Sequence, residues 1–294
     1  MISYNKRIDR AYLASPKFTF DDRSKIVIMS DCHRGGGSLA DDFAKNKTVC
    51  YAALQFYNDA GYVYIEAGDG DELWKNKTFA EISTMHADVF SLLTQFYKSK
   101  RLHMLYGNHD VVKKLKPGLL DTYYRPPRKR KIELFPGLTV LEGVILKYEP
   151  TGREILIVHG HQADFFNDRL WRLARFLVRH VWRPLELVGF SDPKSAAKNN
   201  KVKENVERRL KSWAEENGIL LIAGHTHRAV FPEPNEGLYF NDGSCVHPWR
   251  ITAIELYKGS ISLVEWRQKI REDGSVYIGK DVVAGPTPLK MYLG

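Results

Sequence analysis

Cysteine is scarce in this chain, with three among 294 residues, at positions 32, 50 and 245. An odd number so widely spaced makes neither a disulfide framework nor a CxxC metal site, which excludes the disulfide-stapled secreted domains and fits a reducing compartment. Long apolar runs are missing as well. None approaches the roughly 18 residues of a membrane span, and the opening MISYNKRIDR lacks the apolar stretch of a signal peptide, so the chain is expected in the cytoplasm. There is no internal repeat and no low-complexity segment. With 44% hydrophobic and 27% charged residues, the composition predicts one globular domain over 1–294 with ample material for a core.

Acidic balance is also lacking, for the formal net charge is +9. Between positions 165 and 211 there are twelve Lys or Arg against five Asp or Glu, so seven of the nine excess charges sit in one segment. An anionic partner follows: a phosphorylated small molecule, a nucleic acid or a membrane surface. The stretch DTYYRPPRKRK at 121–131, broken by two prolines, reads as a solvated basic loop.

What the sequence does have is a repeated way of ending strands. Apolar β-type runs at 25–30 (KIVIMS), 62–67, 101–106 (RLHMLY), 154–158 (EILIV) and 219–223 (ILLIA) each run into Asp, Asn or His. The motifs are DCH at 31–33, GDGDE at 68–72, GNHD at 107–110, HGH at 159–161 and GHTH at 224–227. Helical sequence at about 47–60 and 79–99 alternates with the first three runs, which predicts βαβ units and a mixed or parallel sheet. In such sheets ligands bind beyond the C-terminal strand ends. Paired carboxylates there resist ionisation unless a cation stands nearby. Short strands at 238–240, 251–256 and 260–265 read as a meander completing a second sheet.

Taken in order, these motifs resemble the calcineurin-like metallophosphoesterases over about residues 25–265. The resemblance implies an α/β fold, a two-sheet αββα sandwich, with a two-metal site at one edge. It implies that Asp31, His33 and His227 hold one ion, that Asn108, His159 and His225 hold the other, and that Asp69 bridges the two. It further implies two divalent cations and hydrolysis by in-line attack of a shared hydroxide at phosphorus, with His109 acting on the phosphoryl group or leaving oxygen and Asp110 orienting it. Imidazole, carboxylate and amide ligands without thiolate suit manganese foremost, or iron, zinc or cobalt. Cys32, between two ligands on an extended segment, should point away from both and pack.

The spacing G-D-x-x-E-x-W, with Glu72 and Trp74, and a helical insertion at about 164–217 resemble the UDP-2,3-diacylglucosamine hydrolases, which cleave a pyrophosphate. His109 and His161 depart from that group's pattern. The expected substrate is therefore a nucleotide-linked or lipid-linked phosphoester or pyrophosphate. A general phosphodiesterase or nuclease and a serine/threonine protein phosphatase are the alternatives, and no specific nucleic-acid partner is expected. In the insertion Arg169, Arg172, Arg175, Arg179 and Arg183 gather along one side, opposite Leu170, Leu173, Ala174, Leu177, Val178 and Val181, with Trp171 and Trp182 able to sit at an interface. Arg34, Trp171, Arg172, Arg175 and Arg179 are candidate substrate contacts. The residues leave open whether this helix is a substrate lid, a contact with anionic membrane or core packing.

Overall fold

The computed structural model describes residues 4–125, 130–182 and 200–294. Thirteen strands are present among them. In chain order they are β1 (Lys17–Phe20), β2 (Lys25–Met29), β3 (Val63–Ala67), β4 (Leu102–Leu105), β5 (Thr122–Arg125), β6 (Arg130–Glu133), β7 (Gly143–Tyr148), β8 (Glu154–Val158), β9 (Leu220–Ala223), β10 (Tyr239–Asn241), β11 (Arg250–Tyr257), β12 (Ser260–Ile270) and β13 (Val276–Pro288). Two sheets face each other, one ordered β13-β12-β11-β2-β3-β4 and the other β1-β7-β8-β9-β10. Ile26, Ile28, Ile65 and Leu105 from the first meet Val144, Ile155, Ile157, Leu220 and Ile222 from the second in one buried core.

Period-2 side-chain alternation explains why the central strands are apolar on both faces. While Ile26 and Ile28 face the other sheet, Val27 and Met29 face the helices Lys47–Asp59 and Ala87–Lys98, whose Leu54, Tyr57, Phe90 and Leu93 cover them. On the outer face of the second sheet, Ile145, Leu156 and Leu221 are covered by the helix Tyr4–Ala14 and by Val206, Leu210 and Trp213 of the helix Asn200–Asn217. That last helix closes a core layer. Among the described residues of the 164–217 segment, the helical turns over 165–182 contribute only Ala174 to the buried set.

Three expectations change. Of the three expected meander strands, β10 does join the second sheet, beside β9, but β11 and β12 do not; β11 pairs antiparallel with β2, so β11 to β13 extend the first sheet, and the second is made by β1 and β7 to β10. The expected helix over 79–99 is two helices, Phe79–Met85 and Ala87–Lys98, broken at His86, whose buried ring reaches Asp41 at 3.1 Å. Part of the basic loop at 121–131 is the hairpin β5–β6.

What positions the site is the parallel registration of β2 with β3, β3 with β4, and β8 with β9. All five motif-bearing strands end at the same edge of the sandwich.

Candidate metal centre

The turns leaving these strands are held in a backbone conformation that side chains other than glycine rarely adopt. Asp31, His33, Asp69, His225 and His227 all have φ between 48° and 68°. Eight non-glycine residues among those described have positive φ, and five are these motif residues. Left-handed backbone at such residues costs on the order of 1–3 kcal/mol each and persists only where surrounding contacts impose it. Here the loops impose it on each other. The N–H of Asp31 donates to the Gly68 carbonyl at 3.1 Å, that of His33 to Asp69 at 2.9 Å, and that of Arg34 to Gly70 at 3.0 Å. The His225 N–H donates to Asp31 Oδ2 at 2.8 Å, which joins the second sheet to the first. Glycine is obligatory where the loops touch, since a Cβ on Gly107 would lie 2.2 Å from Asp69 Oδ1.

The side chains converge in two groups whose ligand atoms lie within 4.8 Å of one another, Asp31 with His33 and His227, and Asp69 with His159 and His225, and His109 joins His33 and Asp69 in a third set that overlaps both. His227 Nε2 lies 3.0 Å from Asp31 Oδ1 and 3.3 Å from His33 Nε2. His159 Nε2 lies 3.2 Å from Asp69 Oδ2, which is also 3.9 Å from His33 Nε2. His159 donates from Nδ1 to the Ala67 carbonyl at 3.0 Å, which fixes the ring with Nε2 toward the site. Asn108 is buried, and its Oδ1 has no hydrogen-bond partner among the described residues. A buried amide oxygen without a donor loses its hydration uncompensated, and a cation would supply it. Borderline donors in two adjoining sets, with this orphaned oxygen, fit a pair of divalent ions.

Electrostatics agree. Burial alone would push the Asp31 carboxyl up, yet the imidazoles of His227 and His159 hold it well below the ordinary range. Burial would likewise lower His159, but the carboxylates of Asp69 and Asp31 raise it to about 9. His33 is raised well above its usual value by Asp31 and Glu72 against the same desolvation.

The structure redistributes several expected roles. His109, at the rim, does not pair with Asp110. Its Nδ1 donates to Glu72 at 2.9 Å, and its ring stacks on Trp74 with centroids 4.1 Å apart. Asp110 instead accepts from the N–H groups of Gly107 and Gly70 and from Lys113 Nζ, clamping the two loops together. Arg34 is no substrate contact: it is fully buried, paired with Glu66 at 2.7 Å and Asp71 at 2.8 Å. Arg179 donates to the carbonyls of Leu73, Trp74 and Asn76, so it anchors the insertion on the loop behind His109. Trp171, Arg172 and Arg175 line a cavity of about 290 Å³ with Phe176, Arg179 and His180 on that insertion. Arg183 lies outside the described residues, as do the side chains of Arg169 and Trp182.

Two residues with site roles escaped the sequence. Glu72 stood inside a motif but without a task; it bridges His109 and His33, whose Nδ1 is 3.3 Å away. Asp164 reaches His225 Nε2 at 3.2 Å while capping the N–H groups of Phe166 and Asn167. Its only signal was an N-cap position, which any helix start shares.

A model of the calcineurin-like phosphoesterase family matches residues 24–229. No curated protein matches the chain. Among solved structures, Vps29 of Chaetomium thermophilum aligns at 11% identity, covering 88% of this chain and 95% of its own, with a TM-score of 0.40. The cold-active protein-tyrosine phosphatase of a psychrophilic Shewanella aligns at 15%, covering 88% and 81%, with a TM-score of 0.39. A putative 5'-nucleotidase of Staphylococcus aureus aligns at 12%, covering 87% and 52%, with a TM-score of 0.36.

The proton at His159 must leave before Nε2 can ligate, so affinity for Mn²⁺ rises with pH, about tenfold per unit for each displaced proton, and levels off above about 9. Calorimetric titration between pH 6 and 9.5 checks this, and a flat profile contradicts it. If His109 serves as general acid, His109→Ala lowers kcat by about 10² to 10⁴ with metal content unchanged, and Glu72→Gln, which weakens the hold on the ring, lowers kcat as well. Unchanged rates on a substrate with a poor leaving group would make both residues structural.

Proposed function

The chain belongs to the calcineurin-like phosphoesterase family and is a metal-dependent phosphoester hydrolase; on that premise we propose that its substrate is a pyrophosphate or phosphodiester carrying a nucleotide at one end and acyl chains at the other. One observation carries the reading. The segment 165–182 turns Phe165, Phe166, Leu173 and Phe176 to solvent, between 45% and 56% exposed, beside Arg172 and Arg175. A protein has no reason to leave so much apolar surface open next to guanidinium groups unless a partly apolar, partly anionic ligand covers it. The same segment is tied to the site at both ends, by Asp164 on His225 and by Arg179 on the loop carrying Trp74.

Asp31, His33 and His227 would hold one ion and Asn108, His159 and His225 the other, with Asp69 between them. When bound, the two ions supply Lewis-acid stabilisation of phosphoryl oxygens and lower the pKa of the attacking water. The chain's own residues do the rest. Glu72 keeps the Nδ1 proton of His109, leaving Nε2 at the open rim to give a proton to the departing oxygen. Trp74 fixes the plane of that ring. Arg172 and Arg175 meet the anionic end of the substrate, and the exposed phenylalanines and Leu173 take its acyl chains. A bilayer with anionic lipid is the surface from which such a substrate would be drawn.

The test compares Mn²⁺-supplemented turnover of a nucleotide-diphosphate sugar with and without acyl chains, alongside bis(p-nitrophenyl) phosphate and single-stranded DNA. The acylated substrate is expected to lead by at least about tenfold, and Leu173→Ser with Phe176→Ser to erase that lead while sparing bis(p-nitrophenyl) phosphate. Equal rates with and without acyl chains would reject the lipid reading, and preference for DNA would replace it with a nuclease.

A further inference from the structure

The three cysteines, far apart in sequence, meet. Cys32, Cys50 and Cys245 are fully buried, and their sulfurs lie within 4.8 Å of one another. They belong to the helix-side core of the first sheet, with Met29 and Phe43 in the same apolar assembly. We propose that these thiols form a third metal site, distinct from the dinuclear centre and selective for a soft, thiophilic ion, Cu(I) above others.

The donor set decides the ion. Thiolate donors select Cu(I), zinc and iron–sulfur clusters. Structural zinc is four-coordinate and iron–sulfur clusters take four cysteines, whereas among the described residues three donors come together in this apolar core. A monovalent d¹⁰ ion is satisfied by two or three sulfurs, and binding releases the thiol protons it displaces.

Packing of small apolar side chains would account for one buried cysteine or two. It does not account for how each is fixed. Asp31 and His33, on either side of Cys32, are locked by their N–H bonds to the carbonyls of Gly68 and Asp69. The Cys50 N–H donates to the Asn46 carbonyl at 2.8 Å in the first turn of its helix, and Asn46 Nδ2 donates to the Cys245 carbonyl at 2.8 Å, so one buried asparagine ties together the backbones that carry two of the thiols. The Cys245 N–H reaches the Asp31 carbonyl at 3.3 Å. A loop, a helix and a strand-end turn are thus held with their thiols facing, which is the preorganisation a metal site requires. An ion there would brace the turn that carries Asp31 and His33.

The experiment uses the full chain with its dinuclear site filled by Mn²⁺. Cu(I) is supplied anaerobically, both to folded protein and during refolding, in competition with bathocuproine disulfonate, and X-ray absorption reads the ligand shell. Retention on the order of one Cu(I) per chain is expected, with a sulfur-only shell. Retention should fall at least tenfold in Cys50→Ala and in Cys245→Ala but persist in Asp69→Asn. Should either cysteine variant fail to fold, the other variant and the wild-type spectrum decide. No retention by either loading route, nitrogen or oxygen in the shell, or undiminished retention in the cysteine variants would overturn the proposal.

Discussion

Everything at the edge of this sandwich depends on placing two buried carboxylates, Asp31 and Asp69, beside each other without letting them repel the loops apart. Desolvation and like charge both oppose the arrangement. The chain answers with directed N–H groups. His225 donates to Asp31 at 2.8 Å, and the His109 N–H donates to Asp69 at 2.7 Å. The first of these bonds crosses from one sheet to the other, so the packing of the two sheets and the ionisation of Asp31 are one problem. Left-handed backbone at five motif residues is the conformational cost of aiming those groups, and the imidazoles, or the cations that would replace their protons, return the free energy.

A second buried ionic assembly lies behind the first. Arg34, Glu66, Asp71, Lys113 and Asp110 are all buried and mutually paired, with Lys113 2.7 Å from both Asp71 and Asp110. Such an assembly contributes little net stability compared with an apolar core, but removing one partner typically costs about 3–5 kcal/mol, because a buried charge is left alone. Its value here is positional. Through Asp110 it ties the loop after β3 to the loop after β4, which sets Asp69 against Asn108 and His109. The arginine beside the DCH motif is therefore scaffolding that looks, in sequence, like a substrate contact.

The legible part of this protein was the part written in strand ends. Runs such as KIVIM and EILIV, each closing on Asp or His, located five of the strands and every residue of the two convergent groups, because parallel strands must deliver their ends to one edge. Pairings that depend on three dimensions were not legible. Asp110 adjoins His109 in the chain whereas Glu72 lies 37 residues away, yet the turn geometry gives the imidazole to Glu72. The meander's side of the sandwich hinged on whether β11 met β2, which alternation cannot reveal. Cys32, Cys50 and Cys245 read as isolated because sequence spacing says nothing about which core they share. The helix at 200–217 looked like a continuation of the insertion, although its Val206, Leu210 and Trp213 are core.

The central claim is that the two groups of ligands hold a pair of ions joined through Asp69. The direct measurement is electron paramagnetic resonance of the Mn²⁺-loaded chain, wild type against Asp69→Asn, with bound metal quantified in parallel. The account predicts two Mn²⁺ per wild-type chain with the spectrum of a spin-coupled pair, and in Asp69→Asn the loss of that coupling together with hydrolysis of bis(p-nitrophenyl) phosphate. A single uncoupled ion in the wild type, or full turnover by Asp69→Asn, would contradict it.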